Sequence, residues 1–223
     1  MADKDNTIRT QLRNLAVLAG PFAEVDFDDL PDTPHDAFKK WLNDAIAADV
    51  REPHAMTIST VDEQGCPDAR VLILKNVDDR GWHFAVKRDS PKAQQLEKNG
   101  HAALTFYWPQ VGRQIRLRGR ATQLPEDECR EDFAARPLKS RVSAMASKQS
   151  QVLKDRQELT DRIAETEAAV SNGQEQAFHK WRVYAVAPIA VEFWQGSDDR
   201  LHHRLRYALE TENGRWRKDL LWP

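Results

Sequence analysis

The sequence predicts a mainly β domain, an antiparallel barrel with flanking helices, and three observations carry that prediction. From Ala55 onward the hydrophobic period is two, with Met56 and Ile58 alternating with Thr57 and Ser59. Short runs rich in branched and aromatic residues follow at 70–75, 82–87, 101–108, 113–121, 181–186 and 190–194, separated by turn-forming residues. Only one short helical pattern, beginning at Ser90-Pro91, interrupts the first five strands, whereas a parallel sheet needs a crossover helix at every step. A chain of 223 residues can bury one such domain well. A single domain over 1–223 is therefore expected, with N-terminal helices over about 7–50 and a helical insertion over about 151–170.

Taken in order, Ile8, Leu12 and Leu15 recur at helical spacing and predict a short helix that ends near Gly20-Pro21. The acidic stretch from Glu24 to Asp32 reads as a loop. Thr33-Pro34 then supplies an N-cap and a first-turn proline for a helix whose apolar face is Phe38, Trp41, Leu42, Ala45 and Ile46. Asp62-Glu-Gln-Gly65 turns the chain into Arg70-Val-Leu-Ile-Leu-Lys75, which reads as a buried strand with a cation at each end. Asn76 to Gly81 reads as a turn, and Trp82 to Lys87 as the next strand. Ser90-Pro91 opens a helix through Lys98 that Asn99-Gly100 closes, and Pro109-Gln-Val-Gly112 is a hairpin turn. Pro125 opens a helix through Phe133 that stops before Arg136-Pro137. Gln151 to Val170 reads as a long charged helix, followed by a break at Ser171-Asn-Gly-Gln. Trp181 to Val186 and Ala190 to Trp194 read as two strands, followed by a turn at 196–199, a strand at Leu205-Arg-Tyr and a Trp-bearing tail.

With 33 basic and 35 acidic residues, the chain has no charge excess to draw it to nucleic acid or an anionic membrane. The N-terminus lacks the apolar core of a signal peptide and no run approaches the roughly 20 apolar residues of a membrane span, so a cytoplasmic protein is expected. Cys66 and Cys129 have no metal-ligand or redox spacing, so neither a disulfide nor a metal site is expected. Glycine-rich phosphate loops, nucleophile elbows and zinc-protease motifs are missing. What remains is a scatter of cations and amides at strand and helix ends. Lys92, in the first turn of its helix, is placed where free amides and the helix dipole reinforce a bound anion. Phe106-Tyr-Trp108 and Glu192-Phe-Trp194 fit core packing better than a flat-ligand wall. The adjacent His202 and His203 should point opposite ways, one of them facing a ligand.

Arg70-Val-Leu-Ile-Leu-Lys75, Ser90-Pro-Lys92-Ala, Arg113-Gln114-Ile-Arg, Phe133-Ala-Ala-Arg136-Pro-Leu-Lys-Ser140, Ser147-Lys-Gln149-Ser150 and Glu192-Phe-Trp194-Gln-Gly, followed by Arg200-Leu-His202-His-Arg204, together resemble the motifs of the pyridoxine/pyridoxamine 5′-phosphate oxidases. The likeness runs in the same order from about Leu30 to the C-terminus. It implies a six-stranded antiparallel split barrel of Greek-key type that works as a homodimer with FMN at the subunit interface. By position, Arg70 and Lys92 resemble the FMN phosphate ligands, and Val71, Leu72, Lys75, Ala85, Val86, Gln114, Trp194 and Arg204 fall on other FMN contacts. Gln149 and Ser150 would reach the flavin from the partner subunit. Lys75, Asp132, Arg136 and Ser140 fall on the cradle for the substrate phosphate, and Arg200 and His202 on the catalytic groups over the substrate ring. The implied reaction moves a hydride from substrate to flavin N5, with dioxygen reoxidising the flavin to give hydrogen peroxide.

The chain departs from the family pattern on both sides of that site. A Tyr-Thr pair is Ala85-Val86 here, and an arginine is Pro91. The phosphate-binding tyrosine is Asp132, and an ionised carboxylate about 5 Å from a phosphate costs roughly 3 kcal/mol per unit charge at an effective dielectric of about 20. The N-terminal Arg-x-x-Tyr lid has no counterpart in Val17 to Gly20, and His203 stands where an acidic residue is usual. These changes crowd the substrate side. They open three readings: pyridoxal phosphate biosynthesis, oxidation of a larger unphosphorylated ring of the phenazine-biosynthesis type, and a non-catalytic flavin-binding module.

Overall fold

The computed structural model describes residues 7–18, 20–23, 25–172, 179–210, 212 and 214–223. Glu24, Ala19 of the lid stretch and residues 173–174 of the expected break lie outside the described residues. Six antiparallel strands form the barrel: β1 (Ala55–Val61), β2 (Pro67–Asp78), β3 (Gly81–Lys87), β4 (His101–Trp108), β5 (Arg113–Gln123) and β6 (Trp181–Gln195). They follow the order β3-β2-β1-β4-β5-β6, and a β3–β6 pairing closes the ring. Two further strands, β7 (His203–Glu210) and β8 (Arg215–Leu220), continue from β6.

The runs at 181–186 and 190–194, expected as two strands, are one. The first half of β6 pairs with β3 from Trp181 to Val186, and the second half pairs with β7 from Ala190 to Gln195, while β5 spans both. Pro188 can sit inside this strand because the β5–β6 register shifts between Arg118 and Gly119, and the bulge removes the demand for the missing donor. Gly119 faces Pro188 so closely that a Cβ there would lie 1.9 Å from the Ala187 carbonyl oxygen.

Alternation along β1, β4 and β5 sends Met56, Ile58, Leu104, Phe106 and Ile115 inward. The helix α2 (Pro34–Ala47), capped by the Thr33 hydroxyl accepting from the Asp36 amide at 3.2 Å, seals this core. Its Phe38 ring lies 4.9 Å from Phe106 and its Trp41 meets Phe193 edge-on at 5.1 Å. A second, smaller core lies outside the barrel, where α4 (Glu126–Ala134) and α5 (Leu138–Ala146) pack Cys129, Phe133 and Ala144 on Trp181 and Val183. That layer carries half of the candidate site.

Several boundaries differ from the sequence expectation. The first helix, α1 (Ile8–Arg13), ends at Asn14, well before Gly20. The 70–75 run is not a buried strand: Val71 is 64% and Ile73 40% exposed, and only Leu74 is buried, because β2 alternates like its neighbours. β2 continues through Asn76 to Asp78, leaving Asp79-Arg80 as the turn, where the Asp78 carboxylate accepts from the Arg80 amide. The long helix α6 (Arg156–Ser171) begins after Asp155, whose carboxylate caps the Glu158 amide at 2.9 Å. α5 and β8 had no strong sequence signal, since α5 has a weak apolar stripe and β8 is mostly charged, with Trp216 and Leu220 its two apolar residues. Among the described residues no helix is long and apolar enough to cross a membrane.

Candidate active site

The antiparallel register of β1 and β2 sets Ile58 opposite Arg70 and leaves Thr60 within reach of the guanidinium. Arg70 Nη1 donates to Thr60 Oγ1 at 2.6 Å and its other amine pairs with Asp68. The Thr60 hydroxyl donates onward to Gln95 of α3 (Pro91–Asn99). Lys92, in the first turn of α3, is 5% exposed, and burial together with the nearby Arg70 charge pushes its ammonium below the ordinary lysine range. Two cations held close, one of them buried, repel one another. A phosphate dianion relieves that cost, so these residues fit the phosphate end of FMN.

At the other end of the 70–75 run, Lys75 Nζ lies 3.0 Å from Asp132 Oδ1. Trp181 Nε1 donates to Asp132 Oδ2 at 2.8 Å and fixes the carboxylate from the opposite side. The Arg136 guanidinium stacks 4.1 Å above the Trp181 ring, and its Nη1 is buried without a hydrogen-bond partner. Burial holds Arg136 below its ordinary value, partly offset by Asp132. A pocket of about 460 Å³ joins Arg136, Ser140 and Gln149 to Lys92, floored by Leu72, Ala85 and Val86. Gln149, expected to act across a subunit interface, thus lines a pocket with Lys92 of its own chain, whereas Ser150 is exposed at a backbone φ of +66°. Val86, at 3% exposure, packs in the core as well as lining the pocket with Lys92, whereas Val71 is 64% exposed.

A separate group of expected residues runs across β5, β6 and β7, where Gln114 pairs with Trp194 and Trp194 with Arg204. Arg204 Nε donates to Glu192 Oε1 at 3.0 Å and Arg116 Nη2 to Glu192 Oε2 at 2.7 Å, so a buried carboxylate ties two arginines together. These side chains line a pocket of about 410 Å³. His202 packs its ring 4.9 Å from Trp194, and its Nδ1 accepts the Ser197 amide at 3.1 Å. That bond leaves the ring proton of the neutral imidazole on Nε2, which can then act as a donor. His203 diverges from it, with its ring 6.3 Å from Phe27. Arg200 is exposed at φ +66°, a conformation that costs a non-glycine residue about 1 kcal/mol or more.

Thr60, Gln95 and Trp181 take part in these contacts without having been singled out in the sequence. Register supplies the only signal for Trp181, which pairs with Lys87 where β6 opens beside the pocket.

A closed barrel with paired cations at a strand and a helix start defines a split-barrel flavoprotein. The sequence profile of the pyridoxamine 5′-phosphate oxidase family matches residues 42–169, and that of the pyridoxine 5′-phosphate oxidase C-terminal dimerisation region matches 181–223. The chain is 42% identical over 195 residues to the pyridoxine/pyridoxamine 5′-phosphate oxidase of Ectopseudomonas mendocina, covering 86% of this chain and 90% of that one. It is 39% identical over 203 residues to the enzyme of that name from Salinibacter ruber, covering 90% and 94%. Among solved structures, PhzG from Burkholderia lata, in complex with tetrahydrophenazine-1-carboxylic acid, superposes with a TM-score of 0.84 at 33% identity, covering 92% of this chain and all of that one. The chain belongs to the pyridoxamine 5′-phosphate oxidase family. It is an FMN-dependent oxidoreductase.

Proposed function

We propose that the chain oxidises a ring compound that does not present a phosphate to Lys75, in a homodimer that holds FMN at the subunit interface. The observation that carries this reading is the ion pair between Lys75 and Asp132, braced by Trp181. A phosphate placed there meets a fixed negative charge at a cost of roughly 3 kcal/mol per unit charge. Arg136, with a buried unpartnered amine, and Ser140 remain to bind a weaker or differently placed anion.

Bound FMN supplies the hydride acceptor at N5 and, with dioxygen, the route by which the electrons leave as hydrogen peroxide. The protein's part is to place and polarise. Arg70 and Lys92 anchor the cofactor phosphate, with Gln114, Trp194 and Arg204 along its ring system. Arg200 orients the reacting carbon and His202 donates from Nε2 to the substrate. PhzG, bound to a ring carboxylic acid, supplies a precedent for the substrate class.

Oxidation of pyridoxine 5′-phosphate is the second reading, favoured by the retained Arg136 and Ser140 and by the names of the relatives. Steady-state oxygen consumption separates the two. Purified holoprotein is expected to turn over a tetrahydrophenazine carboxylate and to leave pyridoxine and pyridoxamine 5′-phosphate nearly untouched. Turnover of either phosphate in the ordinary range of about 1–10³ per second overturns the first reading.

A further inference from the structure

The C-terminal end of α5 is held from two directions. Arg162 of α6 donates from Nε to the Ala146 carbonyl at 2.7 Å, and Lys87, the last residue of β3, donates to the Ser147 carbonyl. Consecutive carbonyls at a helix end carry unsatisfied partial negative charge, which cations quench. Lys87 is 5% exposed, and burial pushes its ammonium below the usual lysine range despite the nearby Asp89, so this contact is made in a dry place. Lys180 and Arg162 also face it.

The two contacts fall immediately before Gln149 and Ser150. Beyond them the loop is stitched back to α6: Lys148 Nζ lies 3.3 Å from Glu158 Oε1, and the Lys154 amide donates to Glu158 Oε2 at 3.4 Å. On the other side, Ser90 Oγ donates to the Lys87 carbonyl at 2.6 Å, so the turn that carries Lys87 also launches the helix bearing Lys92. One short turn therefore links the lysine that holds the loop to the lysine at the anion pocket.

We propose that Lys87 and Arg162 are positioning residues for the cofactor, clamping the end of α5 so that Gln149 and Ser150 are presented to FMN. The role rests on the FMN reading above. It makes α6, which has no buried residue of its own, a strut for the site.

The test uses Arg162→Ala, Arg162→Lys and Lys87→Met in the full chain, with FMN affinity read by flavin fluorescence quenching and amide exchange followed in apo-protein. Arg162→Ala and Lys87→Met are expected to weaken FMN binding ~10-fold, a fraction of a charge-assisted bond, and to speed exchange at 147–152 while β4 and β5 stay protected. Arg162→Lys should restore much of the affinity. Parity of Arg162→Ala with wild type, within twofold, overturns the clamp, and that variant decides the matter alone if Lys87→Met fails to fold. Wild-type protein that takes up no FMN overturns the cofactor assignment and this role with it.

Discussion

The Lys75 ammonium lies 3.0 Å from Asp132 Oδ1, so this β2 cation is answered from within the chain before any ligand arrives. A carboxylate on α4 thus neutralises a strand cation beside Trp181, which itself lines the pocket.

Asp132→Asn removes that charge and leaves an oxygen for the Trp181 donor. Affinity of the holoprotein for pyridoxal 5′-phosphate, followed by flavin fluorescence, is expected to rise about 10- to 100-fold. Unchanged affinity would mean that phosphate never approaches Lys75.

Lys92→Met removes the buried one of the two cations of the phosphate corner. FMN should bind about 10- to 100-fold more weakly, the worth of one charge-assisted bond. Thermal stability of the apo-protein should hold or rise, because the lost charge was desolvated and repelled by Arg70.

Gly119→Ala drives a methyl group into the Ala187 carbonyl. Overpacking against backbone is expected to cost about 2 to 4 kcal/mol, lowering Tm by about 5 to 15 °C. A variant melting with wild type would show that the bulge can open.

His35 stacks on Trp82 at 4.7 Å, its Nε2 buried without a partner, and burial followed by Lys39 lowers its pKa. Folding therefore favours the neutral ring. Its contribution to stability is complete above the unfolded value of about 6.5 and is lost as pH falls below it. In denaturation titrations from pH 7.5 to 5, wild type should lose stability relative to His35→Phe. A constant difference would sink the assignment.

The barrel was legible in the sequence because each of its strands carries either period-two alternation or a turn signal at its end, and α2 because Thr33-Pro34 marks its start. The halves of β6 were read apart because Pro188 normally breaks a ladder, and only the register shift beside Gly119 explains its tolerance. The phosphate corner was visible as Arg70 and Lys92. Its completion by Thr60 and Gln95 was not, because it depends on which side chains cross-strand pairing and α3 bring within reach. Asp132 could be flagged by type alone. That it binds Lys75 required knowing that α4 lies over the start of β6.

The boundary between the two matched regions falls after α6, yet β6, which opens the C-terminal region, is the stave that completes the ring against β3. The segment matched for pairing two subunits is hence also the one that lets a single subunit become a barrel. A nascent chain stopped at residue 180 would expose the free rims of β3 and β5 together, and it would be prone to sticking to its neighbours until the last stretch emerged.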